Sequence, residues 1–285
     1  MPELPEVERV RRRLAPAMAK ARFERVRLNR ADLRRPFPTG FARRLRGQTV
    51  TALTRRGKYL LGHLSSGDTL VMHLGMSGSF RVEPTADARA RRDPDAALEY
   101  RHDHVVFEMS SGQTVTFNDP RRFGVMDLVR AERAGAERQR PSALHQLGPE
   151  PLSKAFDAIS LAERLAGRRV PLKVALLDQR VVAGLGNIYA SEALHLARLS
   201  PQRRASTLTT ASGGPRPGVV RLAAAIKSVL TRAIRLKSTD DYSSSGRFRV
   251  YDRESDRCPT PGCKGTIRRV WQAGRSTFYC PDCQR

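Results

Sequence analysis

The spacing of hydrophobic residues changes along the chain and divides the sequence into two parts. From residue 22 to residue 129, apolar residues form brief β-rich runs, separated by turn sequences such as Ser65-Ser66-Gly67-Asp68 and Ser110-Ser111-Gly112. Short runs bounded by such turns are typical of strands. The clearest runs cover residues 49–53, 59–64, 69–74, 104–108 and 115–117. This pattern predicts a β-sandwich.

After residue 150 the apolar positions recur at the spacing of an α-helix. Candidate helices cover residues 160–166, 172–177, 188–196 and 219–236, and a short helix is expected at 7–14. We interpret the polar segment 85–99 as an exposed excursion, and the Gly/Pro-rich segment 213–218 interrupts the helical part. The second half is therefore predicted to be a helical domain.

All four cysteines lie near the end of the chain, in two pairs. Cys258 and Cys263 are separated by four residues, Cys280 and Cys283 by two, and sixteen residues lie between the pairs. Clustered pairs with this spacing are typical of a tetrahedral zinc site rather than of disulfides. The residues between them predict strand 266–271, turn 272–275 and strand 276–279, a hairpin too short to be stable without a metal. We expect one structural zinc ion per chain.

Together these patterns predict an α+β fold. The expected parts are a β-sandwich domain at 1–133, a linker at 134–150, a helical domain at 151–240 and a zinc-finger hairpin at 247–285.

The net charge of the sequence indicates the kind of partner that the protein binds. The 285 residues include 52 Lys and Arg against 28 Asp and Glu, a net charge of +24. Such an excess exceeds what solubility requires and indicates a polyanion, with nucleic acid ahead of a membrane surface. The sequence has neither the roughly 18 consecutive apolar residues of a spanning helix nor the apolar core of a signal peptide. A cytoplasmic monomer, associated with the nucleoid when bound to DNA, is expected.

Candidate chemistry lies at the N-terminus, which begins Met1-Pro2-Glu3. Removal of Met1 would make Pro2 a secondary amine with an α-amino pKa of about 8, well below the roughly 10.4 of a lysine. Such an amine can attack a sugar carbon and form an iminium, with Glu3 as the nearest acid or base. The alternative is structural: Pro2 and Pro5 stiffen the terminus, and the glutamates favour the start of a helix.

Five segments in a fixed order favour the chemical interpretation, because together they resemble the formamidopyrimidine-DNA glycosylase family along nearly the whole chain. The segments are Met1 to Glu8, Arg56-Gly57-Lys58-Tyr59-Leu60-Leu61, His73-Leu74-Gly75-Met76-Ser77-Gly78, Asp119-Pro120-Arg121-Arg122-Phe123-Gly124 and Gly184-Leu185-Gly186-Asn187-Ile188-Tyr189, followed by the four cysteines. The resemblance implies a bifunctional DNA glycosylase and AP lyase of base excision repair. It would remove oxidised purines, such as 8-oxoguanine and formamidopyrimidines, from damaged double-stranded DNA.

The resemblance also implies roles for individual residues. Pro2 would be the nucleophile of a Schiff base followed by β,δ-elimination, Glu3 would assist sugar opening and proton transfers, and Lys58 and Arg275 would steady the phosphates. Met76, Arg121 and Phe123 would fill the gap left by an everted base. Further DNA-binding positions would be Glu6, His102, Arg168 and Asn187, the last within a helix-two-turn-helix motif at 176–196.

From the residues alone, each assignment has a plainer alternative. Met76 and Phe123 would suit a hydrophobic core, and Lys58 a basic surface. Asn187 could cap a helix, although Gly184-Leu185-Gly186-Asn187 before a helix could also present backbone N–H groups to a phosphate.

Two other functions remain open. An endonuclease VIII-like enzyme for oxidised pyrimidines would share the nucleophile and fold, but Leu4 and the Arg121-Arg122-Phe123 run favour the purine enzyme. A non-catalytic zinc DNA-binding protein would have no need of Pro2 and Glu3. The family also carries a long lid loop over the everted base, whereas here only residues 240–246 lead into 247–251, which predicts a shortened lid.

Overall fold

The computed structural model describes residues 1–90, 100–130, 144–235 and 248–285. The chain forms two compact units, one of Met1–Pro2 with Glu6–Arg140 and one of Glu3–Pro5 with Pro141–Arg285. The predicted domain limits stay predictions. The proposed lid at 240–246 and most of the linker lie outside the described residues.

The first helix is longer than its sequence pattern predicted. Helix α1 covers Leu4–Met18, whereas the expected helix ended at residue 14, ahead of Pro16. Pro16 lies in the last turn, where its missing N–H removes a single helical bond. The Ala19 N–H still reaches the Ala15 carbonyl at 2.9 Å and closes that turn.

Two four-stranded antiparallel sheets form the first unit, which confirms the predicted β-sandwich. One sheet has the order β1-β6-β7-β5 and the other β2-β3-β4-β8. The strands are β1 (Phe23–Leu28), β2 (Val50–Arg56), β3 (Tyr59–Leu64), β4 (Thr69–His73), β5 (Ser79–Pro84), β6 (Asp103–Met109), β7 (Gln113–Asn118) and β8 (Val125–Val129). Side chains of both sheets and of α1 share one core, to which Phe23, Leu60 and Phe107 belong.

Two short helices interrupt this unit where none was predicted. Helix α2 covers Phe41–Leu45, and helix α3 covers Thr85–Ala90 at the start of the segment expected to be an exposed excursion. The remainder of that segment, 91–99, lies outside the described residues. A one-turn helix such as α2 has too few apolar positions to show a period.

The second unit contains the predicted helices within two residues of their expected ends. They are α4 (Ala158–Leu165), α5 (Leu172–Leu177), α6 (Asn187–Leu196) and α7 (Pro217–Arg235), with a 3₁₀ helix at Ala205–Leu208. Asp157 begins α4 with a capping box, because it accepts a hydrogen bond from the Ser160 N–H while the Ser160 hydroxyl accepts one from the Asp157 N–H. No helix among the described residues is long and apolar enough to cross a membrane.

The C-terminal hairpin also follows the prediction. Strand β9 covers Arg268–Gln272 and strand β10 covers Arg275–Tyr279. Ala273 and Gly274 form the two-residue turn, with φ of 48° and 71°. Positive φ at both central residues is what a tight hairpin turn requires.

Candidate active site and nucleic-acid interface

The Glu3 carboxylate occupies the N-terminus of helix α6. Its Oε1 accepts a hydrogen bond from the Ile188 N–H at 2.8 Å, and its Oε2 accepts one from the Tyr189 N–H at 3.3 Å. These are the second and third residues of the helix, whose N-cap, Gly186, has no side chain to serve them. Glu3 therefore supplies the cap from elsewhere in the chain, and the helix dipole favours its negative charge.

This arrangement narrows one expectation for the 184–187 loop to fewer N–H groups. The sequence suggested that N–H groups at this helix start could bind a phosphate, but Glu3 already occupies the Ile188 and Tyr189 groups. The loop is shaped for this contact, because a Cβ added at Gly186 would overlap the Glu3 carboxyl group. Two of the N–H groups at this helix start therefore serve the Glu3 carboxylate, and phosphate binding by the rest of the loop stays a prediction.

Pro2 directly precedes this anchored residue. Pro2 and Glu3 are buried, whereas Met1 is 44% exposed. On the other side of Glu3, the Leu4 N–H donates to the Gly184 carbonyl at 3.0 Å. The backbone on the C-terminal side of Pro2 is thus fixed by bonds to the loop and to the helix.

Asn187 binds the C-terminal hairpin rather than capping its own helix. Asn187 is the first residue of α6, and its Nδ2 donates to the Ser276 carbonyl at 3.0 Å. Ser276 follows Arg275, whose side chain is exposed at the start of β10. Asn187 is half-buried and lies next to the strand that carries Arg275, and its Oδ1 is buried without a hydrogen-bond partner among the described residues.

Lys173 shares this carbonyl, and sequence analysis missed it. Its Nζ donates to the Ser276 carbonyl at 3.0 Å and to Thr277 Oγ1 at 2.8 Å, and the side chain is fully buried in α5. Burial lowers the Lys173 pKa to about 7, helped by the charge of Arg275 and opposed by that of Glu3. The available signal was a lone lysine in the apolar segment Leu172–Leu177.

Lys58 lies in the two-residue turn between β2 and β3, where Arg56 pairs with Tyr59. It is 6% exposed, so the alternative of a basic surface residue is wrong. The neighbouring His73, at the end of β4, accepts a hydrogen bond from the Gly75 N–H on Nδ1 at 3.0 Å. Burial, and then the charge of Lys58, lower the His73 pKa to about 4, so this imidazole is neutral near pH 7.

Met76 and Phe123 are exposed at the surface of the first unit. Met76 is 45% exposed and Phe123 39%, which rules out the alternative that they are core residues. The Arg121 guanidinium carbon lies 4.9 Å from the centroid of the Phe123 ring, within cation–π range. Between them, Arg122 has a left-handed φ of 56°. The first unit therefore presents an apolar and cationic tip to the solvent.

Three other predicted DNA-binding residues already have protein partners. The His102 carbonyl accepts the Asp119 N–H at 3.0 Å, and its Nε2 accepts from Arg101 at 2.9 Å. Arg168 pairs with Asp178 at 3.0 Å. Glu6 is buried and pairs with Arg9 at 3.1 Å, one turn further along α1. Through this pair Glu6 fixes the guanidinium of Arg9.

The four cysteine sulfurs lie together, as the sequence predicted. All four Sγ atoms lie within 4.8 Å of one another. Cys258 and Cys283 are 3.7 Å apart, and Cys263 and Cys280 are 3.6 Å apart. A tetrahedral zinc ion with Zn–S bonds of about 2.3 Å requires sulfurs about 3.8 Å apart. The donor type and the spacing therefore fit zinc.

The longer first cysteine pair closes through a turn of its own. The Cys263 N–H donates to the Thr260 carbonyl at 3.0 Å, and Gly262 has a φ of 75°. On the opposite side, the Gly265 N–H points to Cys263 Sγ at 3.4 Å. Backbone N–H groups near the sulfurs favour thiolates, as in other metal sites.

Comparison with known proteins agrees with this geometry. Residues 1–126 match the family model described as the formamidopyrimidine-DNA glycosylase N-terminal domain, and residues 147–244 match its H2TH domain. A formamidopyrimidine-DNA glycosylase of Rhodopseudomonas palustris (strain BisA53) is 57% identical, and one of Afipia carboxidovorans is 52% identical. Each alignment covers 100% of both chains.

Solved structures show the same fold. MutM (Fpg) from Thermus thermophilus is 39% identical, with a TM-score of 0.78 over 99% of this chain and 98% of that one. The Lactococcus lactis Fpg in complex with DNA containing an abasic site is 29% identical, with a TM-score of 0.81 over 99% of each chain. A MutM bound to DNA containing carbocyclic 8-oxo-G is 30% identical, with a TM-score of 0.81 over the full length of both chains.

Proposed function

This chain belongs to the formamidopyrimidine-DNA glycosylase family, and from that premise we propose how its residues excise a damaged base and cleave the strand. Relatives of that name match it over its full length at 51–57% identity. The protein is accordingly a DNA-formamidopyrimidine glycosylase of base excision repair. The residue roles, the lyase steps and the preferred lesions are the proposal.

Pro2 is the nucleophile. After removal of Met1, its nitrogen attacks C1′ of the damaged nucleoside, the N–C1′ bond forms, and the glycosidic bond breaks as the protonated base departs. Opening of the sugar ring and loss of the nitrogen proton give an iminium. The iminium acidifies C2′; removal of that proton expels the 3′ phosphate, and a second elimination expels the 5′ phosphate. Hydrolysis of the remaining iminium frees Pro2.

The main support for this proposal is the position of Glu3, because its anchored carboxylate belongs to the residue next to the nucleophile in the chain. Two backbone N–H groups of α6 restrict the carboxylate to one position. A carboxylate that is held in place can take up the proton that the Pro2 nitrogen loses and deliver it to the ring oxygen of the opening sugar, without a cost in side-chain entropy. If the N-terminal residues served only to start helix α1, Glu3 would not need hydrogen bonds to α6, a helix far away in the chain.

Two cations act on the phosphates. Arg275 is exposed at the first position of β10, and contacts from Lys173 and Asn187 to the adjacent Ser276 carbonyl fix its strand. Lys58 is held in a tight turn beside the neutral His73. A fixed cation stabilises the negative charge that a departing phosphate develops, and it needs no reorganisation during the reaction.

Met76, Arg121 and Phe123 replace the everted base. A base inside a duplex is out of reach of a nucleophile, so the enzyme extrudes the damaged nucleotide and fills the gap. Phe123 enters between base pairs, Met76 fits an irregular space, and Arg121 offers donors to the base left unpaired. Their exposure supports this role, since insertion into DNA requires apolar groups outside the core.

The zinc ion has a structural role and no catalytic one. Bound to Cys258, Cys263, Cys280 and Cys283, it would supply the bonds that hold the hairpin, and with it Arg275, in place. We further propose that the protein works as a monomer on damaged duplex DNA in the cytoplasm. Glu6, His102, Arg168 and Asn187 complete the DNA-binding surface, the first through Arg9.

Product analysis on defined duplexes tests this function. A duplex with one 8-oxoguanine opposite cytosine should lose the base and yield a one-nucleotide gap with phosphate at both ends, visible on a sequencing gel. A duplex with one thymine glycol should react much more slowly. Faster cleavage of the pyrimidine lesion would favour the endonuclease VIII-like alternative, and binding without cleavage would favour the non-catalytic protein.

A further inference from the structure

A buried hydrogen bond joins the two loops that carry Met76, Arg121 and Phe123. Asp119 is fully buried, and its Oδ1 accepts the hydroxyl of Ser77 at 2.6 Å. Ser77 directly follows Met76, and Asp119 lies two residues before Arg121. We call this bond the Ser77–Asp119 latch. It connects loops that are 42 positions apart in the chain.

Each partner of the latch also holds the backbone of the Arg121 loop. Asp119 Oδ2 accepts the Gly124 N–H at 2.7 Å, and Ser77 Oγ accepts the Arg121 N–H at 3.2 Å. The two side chains therefore fix the loop on both sides of Phe123. Hydrogen bonds that a carboxylate accepts are stronger than neutral ones, and a buried carboxylate that loses a donor is penalised.

The loops also pack without spare room. A Cβ added at Gly75 would overlap the Phe123 backbone, and one at Gly124 would overlap the Phe117 ring. The same ring closes off Gly78 on the other loop. Because the backbones touch directly, a shift of one loop moves the other.

We propose that Ser77 and Asp119 are positioning residues that make Met76, Arg121 and Phe123 a single preformed wedge. The inference rests on the proposed role of these three side chains as the groups that replace the everted base. An enzyme with two independent loops would have to order each of them when the base leaves the stack. The conformational entropy lost in ordering the loops would make the free energy of DNA binding less favourable. The latch removes this cost before DNA binds.

The latch should matter for base eversion and not for Pro2 chemistry. Ser77→Ala should slow single-turnover excision of 8-oxoguanine from a duplex by about tenfold, the rate equivalent of about 1.4 kcal/mol. Cleavage of a preformed abasic site should stay within about twofold of the wild-type rate, since its base is already gone. Ser79→Ala, an exposed serine two residues away, is the matched control and should leave both rates unchanged.

A direct signal reports insertion of the wedge. The probe is a duplex with 2-aminopurine beside a tetrahydrofuran abasic analogue, which the enzyme binds without reaction. Its fluorescence should rise more slowly with Ser77→Ala than with the wild type. Asp119→Asn keeps the shape of the side chain but removes one acceptor, and should slow excision at least as much. Because both changes break one bond, the double variant should lose less than the product of the two single losses.

Four further results distinguish a failure of the latch from a failure of the proposed role of Met76, Arg121 and Phe123. The latch would be overturned if Ser77→Ala slowed excision and abasic-site cleavage equally. It would also be overturned if this variant had the melting temperature and the excision rate of the wild type. If Arg121→Ala and Phe123→Ala also leave duplex excision unchanged, the proposed role of these side chains fails, and the latch with it. Slow excision in those variants with a normal Ser77→Ala enzyme would overturn the latch alone.

Discussion

The Glu3 carboxylate accepts a 2.8 Å hydrogen bond from the backbone N–H of Ile188, a residue 185 positions away. A residue next to the start of the chain thereby caps helix α6 of the helix-two-turn-helix region. The bond fixes the backbone that follows Pro2, and it places a charged carboxylate beside the proposed nucleophile. The proposed proton transfers and the cap of helix α6 therefore involve the same side chain.

Glu3→Gln should damage catalysis far more than folding. The amide keeps one acceptor for the α6 N–H groups, but it loses the charge and the ability to transfer a proton. Excision of 8-oxoguanine should fall by about a hundredfold or more, the usual range for loss of a general acid or base, while stability falls by about 1 kcal/mol. Single-turnover kinetics and urea unfolding measure the two effects. Glu24→Gln, at an exposed position on β1, is the control. Equal activity of the two variants would remove Glu3 from the mechanism.

Gly186→Ala should lower activity although glycine has no functional group. The added Cβ would overlap the Glu3 carboxyl group, so the carboxylate must leave the α6 N-terminus or the loop must move. We expect at least a tenfold loss of excision, the equivalent of about 1.4 kcal/mol. Gly214→Ala is the control, because its new Cβ would approach only Thr210 Oγ1, at 3.1 Å. Wild-type kinetics in Gly186→Ala would show that the position of Glu3 does not limit the rate.

Lys173 predicts a specific dependence of stability on pH. Burial lowers its pKa from 10.5 to about 7, so between these values the unfolded chain binds more protons than the folded protein. Stability should therefore rise with pH across this window, by up to about 1.4 kcal/mol per pH unit. Lys173→Met removes the group, and the stability difference between wild type and variant should shift in favour of the wild type from pH 7 to pH 10. A constant difference would mean that the lysine titrates normally.

Zinc should control the hairpin and leave the sandwich intact. Cys263→Ser removes one of four thiolates, so zinc content should fall well below one ion per chain, and affinity for an abasic-site duplex should drop at least tenfold. Trp271, the one tryptophan in the sequence, lies on this hairpin with the Arg269 guanidinium 5.0 Å from its ring. Its emission should change when a chelator removes the metal, and recover when zinc is restored. A metal-free protein with normal affinity and emission would contradict a structural role for zinc.

The sequence predicted best those features that depend on neighbouring residues. The cysteine pairs and the hairpin were predicted because the spacing of ligands and strands is local. The turn was predicted at 272–275, and the strands pair as far as Gln272 and Arg275, so that Ala273 and Gly274 alone connect them. Helix α5 has the predicted ends, Leu172–Leu177. By contrast, the short helix Phe41–Leu45 gave no periodic signal, and α1 extends beyond the predicted range 7–14 at both ends.

The site depended on contacts that no local pattern contains. Glu3 was expected near Pro2, but its bonds to Ile188 and Tyr189 join residues far apart in the chain. Lys173 stood out in sequence only as a lone lysine in an apolar segment, and its partners Ser276 and Thr277 lie about a hundred residues further along the chain. Residues 240–246 lie outside the described residues, so the shortened lid stays a prediction.

The central claim is that Pro2 forms the covalent bond to the sugar. Borohydride reduces an iminium to a stable amine, so enzyme incubated with abasic-site DNA and borohydride should become cross-linked to the strand. Digestion and mass spectrometry should place the link on residue 2, with Met1 absent, and Pro2→Gly should keep some trapping because it retains a terminal amine. A link at Lys58 or Lys173, or full lyase activity in protein that retains Met1, would contradict the account.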